Sequence, residues 1–310
     1  MRGMTDKSAL GHLLALITIV IWGTTFISTK VLLAEFQPVE ILMLRFAIAL
    51  PALWLMHPGR LRGTTLRQEL TFAAAGLCGI CLYYLLENIA LTYTSASNVG
   101  IIVSASPFFT ALLAGIFQQG EERLTLRFFL GFAVAIVGIS LISLSGHSMQ
   151  LNPLGDLLAL LGALVWAIYS ILIRKIETYG YPTIQTTRRC FFYGILFMLP
   201  ALGIFGFAPR LEALADATCL ANMLYLGLGA SALCFVTWGL SVKLLGVVQT
   251  SIYLYAIPII TVLSALLILH EQLTPVAGLG IVLTLAGLGL SSTRKNAPQT
   301  SASPDTKPQG

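Results

Sequence analysis

The sequence predicts an all-α membrane protein with ten transmembrane helices, arranged as a 5+5 inverted-topology repeat. Three observations support this fold class: a composition poor in charge, ten long apolar runs and an internal repeat. Of the 310 residues, 56% are hydrophobic and 10% are charged, whereas a soluble domain carries about 25% charged residues. So few charges cannot cover a water-exposed surface, which argues against a soluble enzyme. The high hydrophobicity argues against disorder, and the continuous apolar runs argue against a spanning barrel.

Each apolar run is long enough for a membrane helix, which needs about 20 residues. Loop signals separate the runs, and the first run is too long for the apolar part of a signal peptide. The last residues, 293–310, are rich in Ser, Pro, Thr and Gln and are predicted to form a disordered cytoplasmic tail. The predicted spans are 9–33, 38–57, 69–92, 96–117, 125–145, 153–174, 183–205, 217–240, 246–269 and 274–292.

Basic residues predict the orientation, because loops on the cytoplasmic side of a membrane are enriched in Lys and Arg. With a cytoplasmic N-terminus, the opposite side carries Arg210 alone. The cytoplasmic segments then carry Arg2, Lys7, Arg60, Arg62, Arg67, Arg123, Arg127, Arg174, Lys175, Lys243, Arg294, Lys295 and Lys307. We therefore predict a multi-pass protein of the plasma (bacterial inner) membrane with both termini cytoplasmic.

The two halves of the chain repeat each other. GHLLAL at 11–16 aligns with GDLLAL at 155–160, after which Trp22 aligns with Trp166 and Arg45 with Arg189. The predicted repeats are 9–145 and 153–292. Five spans are an odd number, so the second repeat must enter the membrane in the opposite orientation. Inverted repeats are a device of secondary transporters, whose halves enclose a site near the midplane and rock around it.

Several stretches resemble a known family. They are Trp22-Gly23-Thr24 through Lys30, Arg45 in the second span, residues 88–109, and the glycine-bearing fifth span. The chain resembles the drug/metabolite transporter superfamily, specifically its ten-span exporters with two EamA-type domains. That resemblance covers about residues 9–292 and implies export of amino acids, nucleobases, drugs or other metabolites. It is less close in the second copy, where Trp166 is followed by alanine instead of glycine.

Polar and aromatic residues at helical spacing predict a substrate cavity. Such stripes share a helix face, and a cavity built from them would suit amphipathic organic solutes such as amino acids. The alternative is ordinary packing with aromatic belts at the membrane surface. The predicted substrate-binding residues are Trp22, Thr25, Tyr83, Tyr84, Glu87, Asn88, Asn98, Trp166, Tyr169, Trp238, Ser251 and Tyr255.

Glu87 is the most specific of these candidates, because it lies within an apolar run beside two tyrosines and an asparagine. A carboxylate inside a membrane is costly unless it is protonated, paired or facing water. Glu87 would either bind a substrate ammonium or carry a proton, so proton coupling stays open. The alternative is a structural ion pair or a position near the membrane surface.

The basic residues within spans support a second hypothesis. The repeat mates Arg45 and Arg189, with Arg188, would clamp a carboxylate or phosphate, which suits an organic-anion or phosphorylated-metabolite exchanger. The structural alternative, which we favour, is that they extend to the membrane surface or pair with Glu40 and with carbonyls at the span ends, as Lys30 would.

Proline and glycine occupy equivalent places in the two halves. Pro107 and Pro258 would kink the fourth and ninth spans and act as gates, or be tolerated bends. Two glycine pairs in the fifth and tenth spans allow close helix approach, within the chain or between two copies. Those pairs are Gly131 with Gly138 and Gly280 with Gly287.

An intramembrane enzyme is a remote alternative. Gly229-Ala230-Ser231-Ala232 resembles an intramembrane protease serine motif, but the four histidines lie near span ends or in loops. We predict no catalytic residue, no metal and no cofactor. The partners expected are a small-molecule substrate and the bilayer, without nucleic acid, for a monomer or homodimer.

Overall fold

The computed structural model describes residues 2–117, 126–144, 152–245, 250, 252–270 and 274–292. Within these ranges the chain forms helices and turns and no strand, which confirms the all-α prediction. The predicted disordered tail lies outside the described residues. The helices are α1 (Arg2–Leu32), α2 (Pro38–Met56), α3 (Leu66–Tyr93), α4 (Ala96–Val103 and Ser106–Phe117), α5 (Leu126–Leu144), α6 (Pro153–Glu177), α7 (Thr183–Phe205), α8 (Ala217–Leu245), α9 (Ile257–Leu269) and α10 (Pro275–Ser292).

Seven of these segments are long and apolar enough to cross a membrane. The long segments belong to α1, α2, α3, α4, α6, α7 and α8. Shorter apolar stretches lie in α5, α9 and α10, at Phe129–Gly138, Ile257–Leu269 and Gly278–Gly287. Each predicted span coincides with one helical segment, and the largest differences are the start of α1, the end of α8 and the start of α9. The count of ten crossings stays a prediction.

Local sequence signals fix the helix ends. Thr65 accepts a hydrogen bond from the Gln68 backbone, and the Gln68 side chain accepts one from the Thr65 backbone, a reciprocal cap that begins α3. Asp216 accepts from the Cys219 backbone at 2.9 Å and begins α8. Gly206, with φ of 75°, follows the last residue of α7 in a conformation that favours glycine.

Helix α4 is interrupted beside Pro107, and helix α9 begins beside Pro258. In α4 a turn at Ser104 and Ala105 separates the two halves, and Pro107 lies in the first turn of the second half. A tight 3-10 turn precedes α9, whose first turn contains Pro258. Proline tolerates this position because its missing N–H would be unpaired there in any helix. The predicted kinks are thus breaks in the helix.

Helices α3 and α8, which are the third members of the two predicted repeats, each contain a widened π-helical segment. These segments are Leu77–Leu82 and Tyr225–Leu233. A π turn inserts an extra residue into the helix and is found frequently at functional sites. In both helices aromatic residues lie just after the widened turns, at Tyr83 and Tyr84 in α3 and at Phe235 in α8.

Helices α5 and α10 pack closely on each other through glycine. A Cβ atom on Gly287 would lie 2.4 Å from the Gly131 carbonyl oxygen and 2.4 Å from the Ala135 backbone nitrogen. A Cβ on Gly138 would lie 2.5 Å from the Thr284 nitrogen. The predicted close approach is therefore found within one chain.

Replacing Gly287 with leucine should disrupt the α5–α10 pair. Backbone atoms occupy the space that the new side chain needs, and overpacking of this kind costs about 1–3 kcal/mol. The thermal unfolding temperature of the purified protein in detergent should fall by several degrees. Gly289→Leu is the matched control, because nothing lies within 4 Å of a Cβ at that position in the same helix. Equal unfolding temperatures for the two variants would contradict this packing.

Candidate substrate cavity

A small cavity lies where the broken helices α4 and α9 meet α1, α3 and α6. Its volume is about 30 Å³, on the order of one or two water molecules. Five of the twelve lining residues are aromatic, three are aliphatic, three are serine or threonine, and one is a glutamate. The lining residues are Trp22, Thr25, Phe26, Tyr83, Tyr84, Glu87, Val103, Ser104, Ser106, Trp166, Leu254 and Ile257.

The predicted repeat mates Trp22 and Trp166 touch in the centre of the molecule. Their ring centroids lie 5.3 Å apart, with the ring planes perpendicular. Trp166 also contacts Tyr83 at 4.8 Å. The Trp22 indole N–H donates to the Ala230 carbonyl of α8 at 3.0 Å, so its orientation is fixed. Edge-to-face packing of this kind stabilises an aromatic wall.

Gly23 explains how α1 comes so close to α9 at this level. A Cβ on Gly23 would lie 2.6 Å from Ile260 Cγ2. The Thr261 hydroxyl donates to the Gly23 carbonyl oxygen at 2.7 Å. Since any other residue would push α9 away, the glycine positions the broken helix against the cavity.

Glu87 is the charged member of the cavity wall. Its side chain is buried, with 1% of its surface exposed, and its Oε1 atom has no hydrogen-bond partner among the described residues. Tyr83, one helical turn earlier, lines the same cavity. An unpaired buried carboxylate oxygen is costly, so this atom is a ready acceptor for a cationic or protonated group that enters the cavity.

Arg45 lies behind this wall and is completely buried. Its Nε donates to the Ser231 hydroxyl at 3.0 Å, and its guanidinium carbon lies 4.2 Å from the centre of the Tyr84 ring. Its two terminal nitrogens have no partner among the described residues. Its charge interacts with that of Glu87, although no ion pair within 4.0 Å joins the two in the described part of the chain. Arg45 and Glu87 therefore form a loose pair of buried charges.

The structure corrects the expectation that Arg45 pairs with Glu40 or reaches the membrane surface. Glu40 instead accepts hydrogen bonds from the backbone N–H groups of Gln37 at 2.8 Å and Ala208 at 3.1 Å. These bonds cap the first turn of α2, so Glu40 is already engaged at the helix end. Lys30 does bind carbonyls at a span end, as predicted, with Nζ 2.9 Å from the Thr94 oxygen.

The repeat mate Arg189 has a different environment from Arg45. It forms an ion pair with Glu69 at 2.9 Å, and Tyr193 donates to the other carboxylate oxygen of Glu69 at 2.6 Å. Arg188 donates to the His57 carbonyl at 2.6 Å. None of these residues lines the central cavity. The two halves therefore use equivalent arginines in different ways.

Other predicted site residues lie around the cavity without lining it. Trp238 packs on Trp22 at 5.2 Å and Tyr169 on Trp166 at 5.0 Å, so both support its walls from behind. Asn88 donates to the Pro38 carbonyl at the start of α2.

Asn98 holds α4 to α6 instead of facing the cavity. Its amide donates to Thr94 at 2.8 Å and to the Asp156 carboxylate. Ser251 lies outside the described residues, and so does the side chain of Tyr255.

Six lining residues were not among the predicted substrate-binding residues, and four of them lie near the two prolines. Ser104 and Ser106 bracket the break before Pro107, while Leu254 and Ile257 precede Pro258. The other two are Val103, which ends the first half of α4, and Phe26 of α1. The proline that recurs in both halves is the sequence signal that could have located these residues, because a broken helix exposes backbone and neighbouring side chains at the midplane.

Polar contacts join α1 to neighbouring elements near both of its ends. Near the start of α1, His12 Nδ1 lies 2.8 Å from the Tyr253 hydroxyl. Near its end, Lys30 binds the last turn of α3. The cavity volume is far below that of an organic solute, so binding one requires these helices or the lining rings to move.

Comparisons with known proteins agree on a transporter. The chain is 28% identical over 288 residues to an uncharacterized transporter of Archaeoglobus fulgidus, which covers 92% of this chain and 98% of that protein. It is 29% identical over 282 residues to a probable terminal-alkyne amino-acid exporter of Streptantibioticus cattleyicolor, covering 90% and 92%. It is 30% identical over 290 residues to a probable amino-acid metabolite efflux pump of Escherichia coli, covering 89% and 92%.

A solved structure shares the fold of this chain, and a family model matches its sequence. A solved crystal structure with 19% sequence identity superposes with a TM-score of 0.63, over 91% of this chain and 98% of that one. The EamA-like transporter family matches residues 9–144 and 153–293, so two EamA repeats span the chain. The chain is therefore a multi-pass membrane protein, and it belongs to the EamA-like transporter family of the drug/metabolite transporter superfamily, as its sequence resemblance indicated.

Proposed function

We propose that this protein is a secondary transporter that exports amino acids or related amphiphilic metabolites by alternating access. The cavity between the two halves would hold the substrate, with Trp22, Trp166 and Tyr83 around its apolar part. Glu87 would bind the substrate ammonium group, and Thr25 with the serines of α4 would provide further hydrogen bonds. ATP takes no part in this cycle.

The observation that carries the proposal is a carboxylate oxygen of Glu87 that lines a buried cavity and has no hydrogen-bond partner in the described part of the chain. A charged group in such a position is a marker of function in membrane proteins. An ammonium beside an apolar or aromatic side chain is the chemistry of an amino acid. Two relatives carry names that refer to amino-acid export or efflux, which fits the same substrate class.

The proposed mechanism uses ten crossings in two inverted five-helix repeats, with both termini cytoplasmic. In this proposed topology most basic residues would lie on one side, as expected for the cytoplasmic face. The breaks at Pro107 and Pro258 would act as hinges on opposite sides of the cavity, each allowing half of a helix to swing. The contacts at the two ends of α1 would then open alternately.

Arg45 supports a second candidate, export of organic anions or phosphorylated metabolites. Its terminal nitrogens are buried and have no hydrogen-bond partner among the residues that the structure describes, and an arginine fork suits carboxylate or phosphate. The position of Arg45 behind Tyr84 favours the first candidate, because an anion must displace that ring to reach it. Arg188 and Arg189 face away from the cavity and add nothing to this second site.

Counterflow in proteoliposomes tests the proposal. Proteoliposomes that contain the purified protein are loaded with one unlabelled solute at a time. Labelled amino acids, nucleosides or phosphorylated sugars are then added outside, at neutral and at acid pH. We expect exchange of zwitterionic amino acids, with stronger exchange of those with apolar or aromatic side chains. Stimulation by an imposed pH gradient would assign proton coupling. Exchange of phosphorylated sugars alone would overturn the amino-acid assignment and favour the anion carrier.

A further inference from the structure

A second, larger depression lies away from the substrate cavity, between the end of α2, the following loop and the start of α7. Its volume is about 610 Å³ and it opens to the outside of the molecule. It is here called the arginine groove. The lining residues are Leu50, Pro51, Trp54, Arg60, Leu61, Gln185, Arg188, Arg189 and Phe192.

One end of the arginine groove is strongly positive. Three arginines line it and no acidic residue does. Arg188 lies close enough to both Arg60 and Arg189 for their charges to repel its own. The ion pair with Glu69 neutralises Arg189, which leaves two positive charges without an acidic partner among the described residues. Like charges gathered in one groove favour the binding of an anion.

The positive end is built before any ligand arrives. Arg188 donates to the carbonyl oxygens of His57 at 2.6 Å and of Gly59. The Gln185 amide nitrogen lies 2.9 Å from the His57 ring. The loop after α2 is thereby fastened to α7, so an anion would not have to order it on binding.

The other end of the arginine groove is apolar and faces outward. Trp54 is 51% exposed and Phe192 is 50% exposed. In a membrane protein these outward rings contact lipid, and tryptophan is enriched where the hydrocarbon meets the headgroups. The groove therefore changes from apolar to positive along its length, as a phospholipid changes from acyl chain to phosphate.

We propose that the arginine groove binds an anionic phospholipid of the leaflet on the side where α1 begins. The headgroup phosphate would contact Arg60 and Arg188, and an acyl chain would lie along Trp54 and Phe192. Basic pockets between transmembrane helices bind anionic headgroups in this manner. Because the groove lies outside the substrate cavity, lipid binding does not depend on which solute is exported.

Native mass spectrometry of the full chain in a non-ionic detergent tests this site. Phosphatidylglycerol and phosphatidylcholine with identical acyl chains are added at equal concentration. We expect phosphatidylglycerol adducts to dominate. Arg60→Gln should weaken phosphatidylglycerol binding by roughly fivefold, the effect of one surface arginine on an anionic lipid. Arg60 is chosen because it is exposed, so its loss leaves the clamped loop in place.

Arg62→Gln is the matched control, since Arg62 is exposed in the same loop and does not line the groove. It should leave phosphatidylglycerol binding unchanged. Three results would overturn the proposal: equal binding of the two lipids, equal losses in the two variants, or displacement of phosphatidylglycerol by millimolar inorganic phosphate, which would show a site for soluble anions.

Discussion

Replacing Glu87 with glutamine should lower the counterflow of amino acids at least tenfold while the protein still folds. Glutamine keeps the size of the side chain and removes the charge that would hold the substrate ammonium. Loss of one partner from a buried, desolvated charge pair costs about 2–5 kcal/mol, and each 1.4 kcal/mol is about a tenfold change in binding. The measurement is initial counterflow rate against substrate concentration in proteoliposomes.

Glu35→Gln is the matched control for this experiment. Glu35 is an exposed carboxylate that binds Arg210 at 2.9 Å, far from the cavity wall. Its loss should change counterflow little. Normal amino-acid counterflow by Glu87→Gln would remove Glu87 from the substrate site.

Arg45 should be coupled energetically to Glu87. Arg45→Met alone leaves the Glu87 carboxylate buried without its positive neighbour, and breaking a buried charge pair costs about 3–5 kcal/mol. The double variant Arg45→Met with Glu87→Gln removes both charges and should recover part of that stability. The measurement is the unfolding free energy of the wild type, the two single variants and the double variant. We expect a coupling energy between the two positions of at least about 1 kcal/mol.

The ion pair between Arg210 and Glu35 provides a comparison for this cycle. Its side chains are 67% and 41% exposed, so water screens the pair, and such pairs contribute about 0–1 kcal/mol. If the Arg45 and Glu87 substitutions change the unfolding free energy additively, as two independent sites would, the two buried charges do not interact.

The helices could be predicted because the bilayer imposes a simple rule on sequence. A spanning segment must satisfy its backbone internally and be apolar over its length, and both properties can be read from composition. The sequence aligned Trp22 with Trp166 and placed both among the candidate substrate-binding residues, but it did not predict that the two rings touch. The proline pair marked the two breaks beside the cavity.

The environments of individual polar side chains could not be predicted in the same way. Arg45 and Arg189 occupy equivalent positions, yet one contacts Tyr84 in the core and the other binds Glu69 outside the cavity. The difference comes from partners contributed by other helices, which the repeat alignment does not contain. The environment of Asn98 could not be predicted for the same reason, because its partner Asp156 lies in the other half of the chain.

The π-helical segments of α3 and α8 were also invisible in the sequence. A π turn adds one residue without changing composition or apolar length, so it leaves no mark in a hydropathy pattern. It does rotate every later residue around the helix axis. Trp238 follows the π segment of α8 and supports the cavity wall from behind, whereas Tyr83 and Glu87 follow the π segment of α3 and line the cavity.

The central claim is that one cavity, at the break in α4, opens alternately to the two sides of the membrane. A variant without the five native cysteines that keeps counterflow would receive Ser104→Cys, because Ser104 lines the cavity and a thiol is close to it in size. A membrane-impermeant maleimide is then applied to one face of oriented vesicles at a time. Alternating access predicts labelling from both faces, and a transported amino acid should slow the labelling in each case. Labelling from one face alone, or from both at rates that substrate does not change, would contradict it.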